Sequence, residues 1–315
     1  MILSVSRRTD IPNYFSDWFL NKVSNGYLYV RNPMNNHQVS KIEINREVID
    51  CIVFWTKNPK NMIPKLDELK DYPFYFQFTL TPYDKDIEPG LPSKRDELID
   101  TFITLSNKIG KERVIWRYDP ILINNKYTLE YHIKTFSEMA DRLNGYTDKV
   151  IISFIDSYAK IKKNMKELEI ADISVEDMKS IAREFTIIAS RNNLLIETCA
   201  EMIELKEYGI SHGKCIDDNL ISRITGAKLD IKKDKNQRKE CGCMESIDVG
   251  AYNTCINGCK YCYANFNEST VMNKNSLYNI ESPLLCGDIG EEDRITERKV
   301  KSIRNELWLC TQNVI

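Results

Sequence analysis

The sequence predicts an α/β fold, a full or partial parallel β/α barrel with a strand near its C-terminal end. Three observations predict it. Six short runs rich in Ile, Val, Phe and Tyr each end in a polar stretch, and segments of helical period lie between them. The runs are apolar almost without interruption, as strands buried on both faces are. Strands that alternate with helices pair in parallel through right-handed crossovers. The chain of 315 residues suits one such domain, since a barrel commonly takes ~250.

The elements follow in order. "ILSVS" is the first strand and ends in "RRTDIP". A hairpin is predicted over 26–44, where "YLYV" and "VSKIEI" flank the turn-rich "NPMNNH". "CIVFWT", "FYFQFTL", "RVIWRY", "KVIISFI" and "LLIET" are the next five strands. Helical spacing of apolar residues predicts helices over 61–69, 94–109, 129–143, 175–190 and 202–208. The charged run "KKDKNQRK" at 232–239 reads as a loop, and "SIDVGAY" as a further strand. From 287 onward the chain is highly charged and is expected to be a solvated segment or a helix. The barrel is therefore assigned to 1–286 and the tail to 287–315.

In a barrel of this kind the chemistry collects where strands end. Arg7, Arg8, Lys57, Arg117 and Asp119 stand at such ends. Arg117 and Asp119 are two apart on one strand, so they share a face and would both point into the mouth. A charge held there must find a partner or a ligand. The formal net charge of −2 does not indicate nucleic acid. The first residues do not resemble a signal peptide, and no run approaches the ~20 apolar residues that span a membrane. A cytoplasmic location, where thiols stay reduced, is the expectation.

Ten cysteines then need a role other than disulfides. "CINGCKYCYAN" places Cys255, Cys259 and Cys262 within eight residues. Three thiolates so spaced can wrap one side of an iron–sulfur cluster, which usually takes four cysteines, and leave one iron open. Zinc could use Cys259 and Cys262 with a distant pair but would leave out Cys255. Cys199, Cys215, Cys241 and Cys243 make a second group of four, compatible with a second cluster, a four-cysteine zinc site or unrelated thiols. Cys51, Cys286 and Cys310 lack close partners and read as structural.

The "CINGCKYCYAN" motif, with the aromatic Tyr261 before its last cysteine, resembles the cluster motif of the radical S-adenosylmethionine (SAM) superfamily. Most members carry that motif near the start of a TIM-like barrel, whereas here it follows nearly all the strands. A closed barrel has no natural first strand, so a chain can supply its cluster-bearing strand last. Through "SVSRRTDIP", "FWTKNP", "WRYDP", "ETCAE", "GKCID" and "CGCMESIDVGAYNTC" the chain resembles a bacterial domain-of-unknown-function family with a radical-SAM-like cysteine cluster at its C terminus. "FTLTPYDKDIEPGLPSKRDELI" and "VIWRYDPIL" distantly resemble spore-photoproduct-lyase-like enzymes. The resemblance implies a 4Fe-4S cluster on Cys255, Cys259 and Cys262, a second cluster on the other four cysteines if they hold one, and SAM as cosubstrate. SAM would be cleaved to a deoxyadenosyl radical that abstracts hydrogen from a small-molecule or macromolecular substrate. A flavodoxin or ferredoxin would supply the electron. Arg7, Arg8 and Tyr261 are then expected at the cofactor, and Lys57, Arg117 and Asp119 at the reacting groups. The competing reading is a non-catalytic barrel with structural iron–sulfur or zinc sites that binds a ligand or partner.

Overall fold

A computed structural model describes residues 1–156 and 161–305 of the chain. In chain order the elements are β1 (Ile2–Val5), α1 (Ile11–Tyr14), α2 (Ser16–Asn25), β2 (Tyr27–Arg31), β3 (Gln38–Glu43), β4 (Cys51–Thr56), β5 (Phe74–Thr79), α3 (Ile99–Ile109), β6 (Val114–Ile121), α4 (Leu129–Leu143), β7 (Lys149–Phe154), α5 (Lys162–Glu167), α6 (Val175–Arg191), β8 (Leu195–Thr198), β9 (Ser211–His212), α7 (Asp218–Thr225), β10 (Ile247–Asp248), α8 (Glu268–Asn275) and β11 (Arg294–Glu297).

Eight strands form one sheet in the order β10-β1-β4-β5-β6-β7-β8-β9. Every neighbouring pair is parallel. The late strand expected in "SIDVGAY" is β10, and it lies beside the N-terminal strand with Leu3 opposite Ile247. Side chains alternate along each strand. Leu3, Phe54, Phe76, Trp116 and Ile152 point to the face covered by helices, where they meet Phe19, Phe102, Phe136 and Phe185. The Phe136 and Phe185 rings stack at 3.8 Å and lock α4 against α6. Fully burying a side chain of this kind contributes about 1.5–3 kcal/mol.

Ile2, Val53, Tyr75, Ile115 and Ile151 point to the opposite face and pack with Ile216, Leu220 and Ile221. This arrangement decides closure, which the sequence left open. The sheet is open, with β10 and β9 as its edges and no pairing between them. Between these edges the chain leaves the sheet, and α7 with its flanks covers a face instead of adding strands that would close a barrel.

The helices at 129–143 and 175–190 form nearly as spaced, because each has a side-chain cap. Thr128 accepts from the Tyr131 N–H and Ser174 from the Asp177 N–H. Three others differ. Pro64 opens a 3-10 segment at Ile63–Leu69 rather than an α-helix. The 94–109 segment starts with a wide turn at Lys94–Leu98 before α3. Only a turn at Lys206–Tyr208 forms in 202–208.

The hairpin is β2 and β3, antiparallel as expected. Within the charged tail, the described residues include a strand that was not expected: β11 pairs in parallel with β3. Its side chains are exposed, so its composition looks like a solvated stretch. A strand at a sheet edge needs only backbone groups to be held. Beyond it, Ser302 Oγ and the Ile303 N–H donate to buried Asp50 at 2.6 and 2.9 Å. Cys310 lies outside the described residues. No described helix is long and apolar enough to cross a membrane.

Candidate functional site

The three-cysteine loop is clamped from two sides. On one side stands Asp10, buried at the N-terminus of α1. Its carboxylate accepts from Thr56 Oγ1 (2.6 Å), the Lys57 N–H (2.8 Å), the Asn13 N–H (3.2 Å) and Asn257 Nδ2 (3.1 Å). Asn257 sits inside the motif, and Tyr14 OH donates to its Oδ1 at 2.8 Å. The ends of β1 and β4 and the loop are thereby joined through one carboxylate. Burial raises the Asp10 pKa above the usual carboxylate value, against the pull of these donors.

On the other side lies the segment after β5. The Gly90 N–H donates to Asn257 O at 3.0 Å and the Lys260 N–H to Ile87 O at 2.9 Å. A Cβ at Gly90 would sit 2.7 Å from Asn257 O, so only glycine permits this approach. Buried Glu88 accepts from Lys57 Nζ at 2.7 Å and Thr81 Oγ1 at 2.9 Å, and also pairs with Lys94 and Tyr261 OH. Burial alone would raise its carboxyl, but the Lys57 and Lys94 ammonium groups outweigh that and hold it at about 2. Lys57 Nζ also donates to Tyr261 OH at 2.6 Å. The loop closes on itself through Asn253 N to Ala264 O at 3.0 Å and Asn265 Nδ2 to Cys255 O at 2.8 Å. Burial pushes the Cys255 thiol up to about 12 and Cys259 well above its ordinary value. Such thiols ionise when a metal takes the place of the proton.

The other four cysteines also gather. Cys199 follows β8, Cys215 follows β9, and Cys241 and Cys243 precede β10. Cys199 Sγ and Cys215 Sγ stand 3.3 Å apart. Cys243 Sγ accepts from the Ile216 N–H at 3.4 Å, and Cys241 lines the same wall. Arg117 Nη1 donates to Cys215 Sγ at 2.7 Å and Nη2 pairs with Asp119. Asp119 also accepts from Ser153 Oγ. A hydrogen bond from Cys215, with the Arg117 charge behind it, lowers the Cys199 thiol to about 7 against its burial. Among the described residues no three His, Cys, Asp or Glu side chains are arranged around a single metal ion.

Both cysteine groups line one cavity of about 890 Å³, together with Arg7, Arg8, Lys57, Arg117, Asp119 and Tyr261. Trp55, at the end of β4, lies under two guanidinium groups, with Arg7 Cζ and Arg117 Cζ each 5.2 Å from its ring centroid. Arg7 Nη2 is buried without a hydrogen-bond partner among the described residues. Arg8 donates to Gly250 O at 3.4 Å and lies 5.0 Å from the Tyr252 ring. Cys51 and Cys286 do not reach the cavity and pack against the two apolar cores. His132 is a core residue, hydrogen-bonded to Tyr118 OH and Leu122 O at 2.8 Å each.

Four positions of weight are absent from the sequence-level selection: Trp55, Glu88, Asp248 and Asn257. Asp248 accepts from Ser6 Oγ at 2.6 Å and the Arg7 N–H at 2.8 Å, and so shapes the turn after β1. Asn257 lies inside the quoted motif and could have been singled out there. Glu88 sits in an irregular stretch with no periodic signal. No curated protein matches the sequence. Residues 2–264, from β1 through the three-cysteine loop, match the family described as a domain of unknown function, DUF1848, and the chain belongs to that family.

Proposed function

We propose that this protein is a radical SAM enzyme that carries its cluster on the loop after β10. One observation supports the reading above others: the three-cysteine loop opens onto the same cavity as the cations that follow β1 and β4 and Arg117 within β6. A loop on a separate module would have no substrate space beside it. The donor set suits the group, because Cys255, Cys259 and Cys262 are free thiols and three ligands leave one iron of a four-iron cluster open. When bound, the cluster and SAM together supply the one-electron cleavage and the hydrogen abstraction, chemistry that belongs to the cofactors.

The chain's own residues bind and position. Arg7, whose guanidinium lies over the Trp55 ring at the cavity, offers its charge to a carboxylate such as that of SAM. Lys57 and Tyr261 meet at Glu88, and through it the loop is held against the segment after β5. Arg117 and Asp119 neutralise each other and present a fixed polar edge to a substrate. The test is anaerobic reconstitution with iron and sulfide, then reduction by dithionite or a flavodoxin in the presence of SAM. Deoxyadenosine and methionine are the expected products, and Cys259→Ala should yield neither. Protein fully loaded with iron that neither binds SAM nor forms deoxyadenosine would overturn the proposal and favour the non-catalytic reading.

A further inference from the structure

We propose that Cys199, Cys215, Cys241 and Cys243 hold a second metal centre, an iron–sulfur cluster ligated entirely by cysteine, in the wall of the same cavity. This inference does not depend on radical chemistry at the first loop.

The four thiols come from three places in the chain and are brought together by specific features of the backbone. Gly213 and Gly242 face one another. A Cβ at Gly242 would lie 3.0 Å from Gly213 O, and one at Gly213 would lie 2.5 Å from a Glu197 carboxylate oxygen. Glycine at 242 lets the Cys241–Gly242–Cys243 turn approach the backbone of Gly213, two residues before Cys215. The Ile216 N–H then points at Cys243 Sγ, 3.4 Å away. Cys215, Cys241 and Cys243 are buried, and Cys199 is half-buried.

Charge is the second argument. Four thiolates on an iron–sulfur cluster leave a net negative centre, and hydrogen bonds to the sulfurs are part of how a protein holds and tunes it. Two arginines face this group. Arg117 is buried and spends one N–H on Cys215 Sγ itself, although Asp119 already balances its charge. Arg7 is half-buried, and its Nη2 is buried with no hydrogen-bond partner among the described residues. Neutral thiols give little return for holding these cations away from water, whereas an anionic centre does.

No three of these side chains surround a single ion among the described residues, whereas the cavity they line, about 890 Å³, has room for a larger body. The chain between α7 and β10 has only isolated bridges and no helix or longer strand. A cluster there would also tie down this loop.

The test separates the two sites. A variant with Cys255, Cys259 and Cys262 all changed to alanine is purified anaerobically, reconstituted with ferrous iron and sulfide, and assayed for iron, sulfide and zinc. About half of the wild-type iron should remain, matched by sulfide and with a brown thiolate-to-iron absorption. A folded triple variant with no iron, or with zinc alone, would overturn the proposal. In the converse variant, Cys215→Ser with Cys243→Ser, the iron should fall to about half. Unchanged iron there would also overturn it. If this converse variant fails to fold, the iron count of the triple variant decides alone. Deoxyadenosine formation tests only the first loop, so the failure of either proposal is visible without the other.

Discussion

Replacing Glu88 by glutamine keeps the shape of the side chain and removes its charge. Glu88 is 1% exposed, and Lys57 and Lys94 converge on it with side chains 14% and 12% exposed. Glutamine would leave two ammonium groups largely buried without a counter-charge. Removing one partner of a buried ion pair costs about 3–5 kcal/mol. The titration leads to a similar figure. The carboxyl moves from 4.5 to about 2 on folding, and at 1.36 kcal/mol per pH unit that shift is worth about 3 kcal/mol. A depressed acid stabilises fully above its unfolded pKa and loses that contribution as pH falls through its folded pKa. The gap between wild type and Glu88→Gln should therefore be full at pH 7 and shrink between pH 4.5 and 2. Urea unfolding of the reduced, metal-free protein, followed by tryptophan fluorescence, measures the gap at each pH. Equal stability at pH 7, or a gap that does not change from pH 5 to 2.5, would refute the reasoning. The same variant should hold less iron on the three-cysteine loop, because the Lys57–Glu88–Tyr261 link that holds the loop loses its charge.

Gly90→Ala puts a methyl group against two backbone oxygens, Asn257 O and Ile256 O, at 2.7 and 2.8 Å. It should cost about 1–3 kcal/mol in urea unfolding and lower the iron retained after reconstitution. His132 is held at about 4 by burial, so it stays neutral while the unfolded chain protonates. Stability should fall as pH drops from 6.5 toward 4 by up to about 3 kcal/mol, and urea midpoints of His132→Asn should lack this slope. Ending the chain after Gly287 removes β11 and the donors from Ser302 and Ile303 to Asp50. Lower stability is expected, with faster amide exchange in β3, and unchanged exchange there would count against the docked tail.

Much of the sheet was readable in the sequence, because β-branched runs and helical spacing are local signals. A strand was expected in "SIDVGAY", and β10 forms there, paired with β1. The strand in the tail was not foreseen, because pairing with β3 depends on the backbone and is indifferent to the charges on β11. Closure of the sheet was left open by the sequence, since it depends on whether the chain after β9 adds strands or covers a face.

By itself the sequence determined the three-and-two spacing of Cys255, Cys259 and Cys262, a local property that no distant contact alters. It also determined that Arg117 and Asp119 share a face, because a strand repeats every two residues. Only the tertiary structure decided that Cys199, Cys215, Cys241 and Cys243 gather and share a cavity with the first loop. Only it decided that Glu88 and Asp10 clamp that loop. Asp10 and Asn257 are 247 residues apart in the chain, and Glu88 and Tyr261 are 173 apart. Contacts over such separations carry no sequence period. They exist because parallel strands bring their ends to one edge of the sheet, where buried polar groups must find partners among whatever the other loops supply.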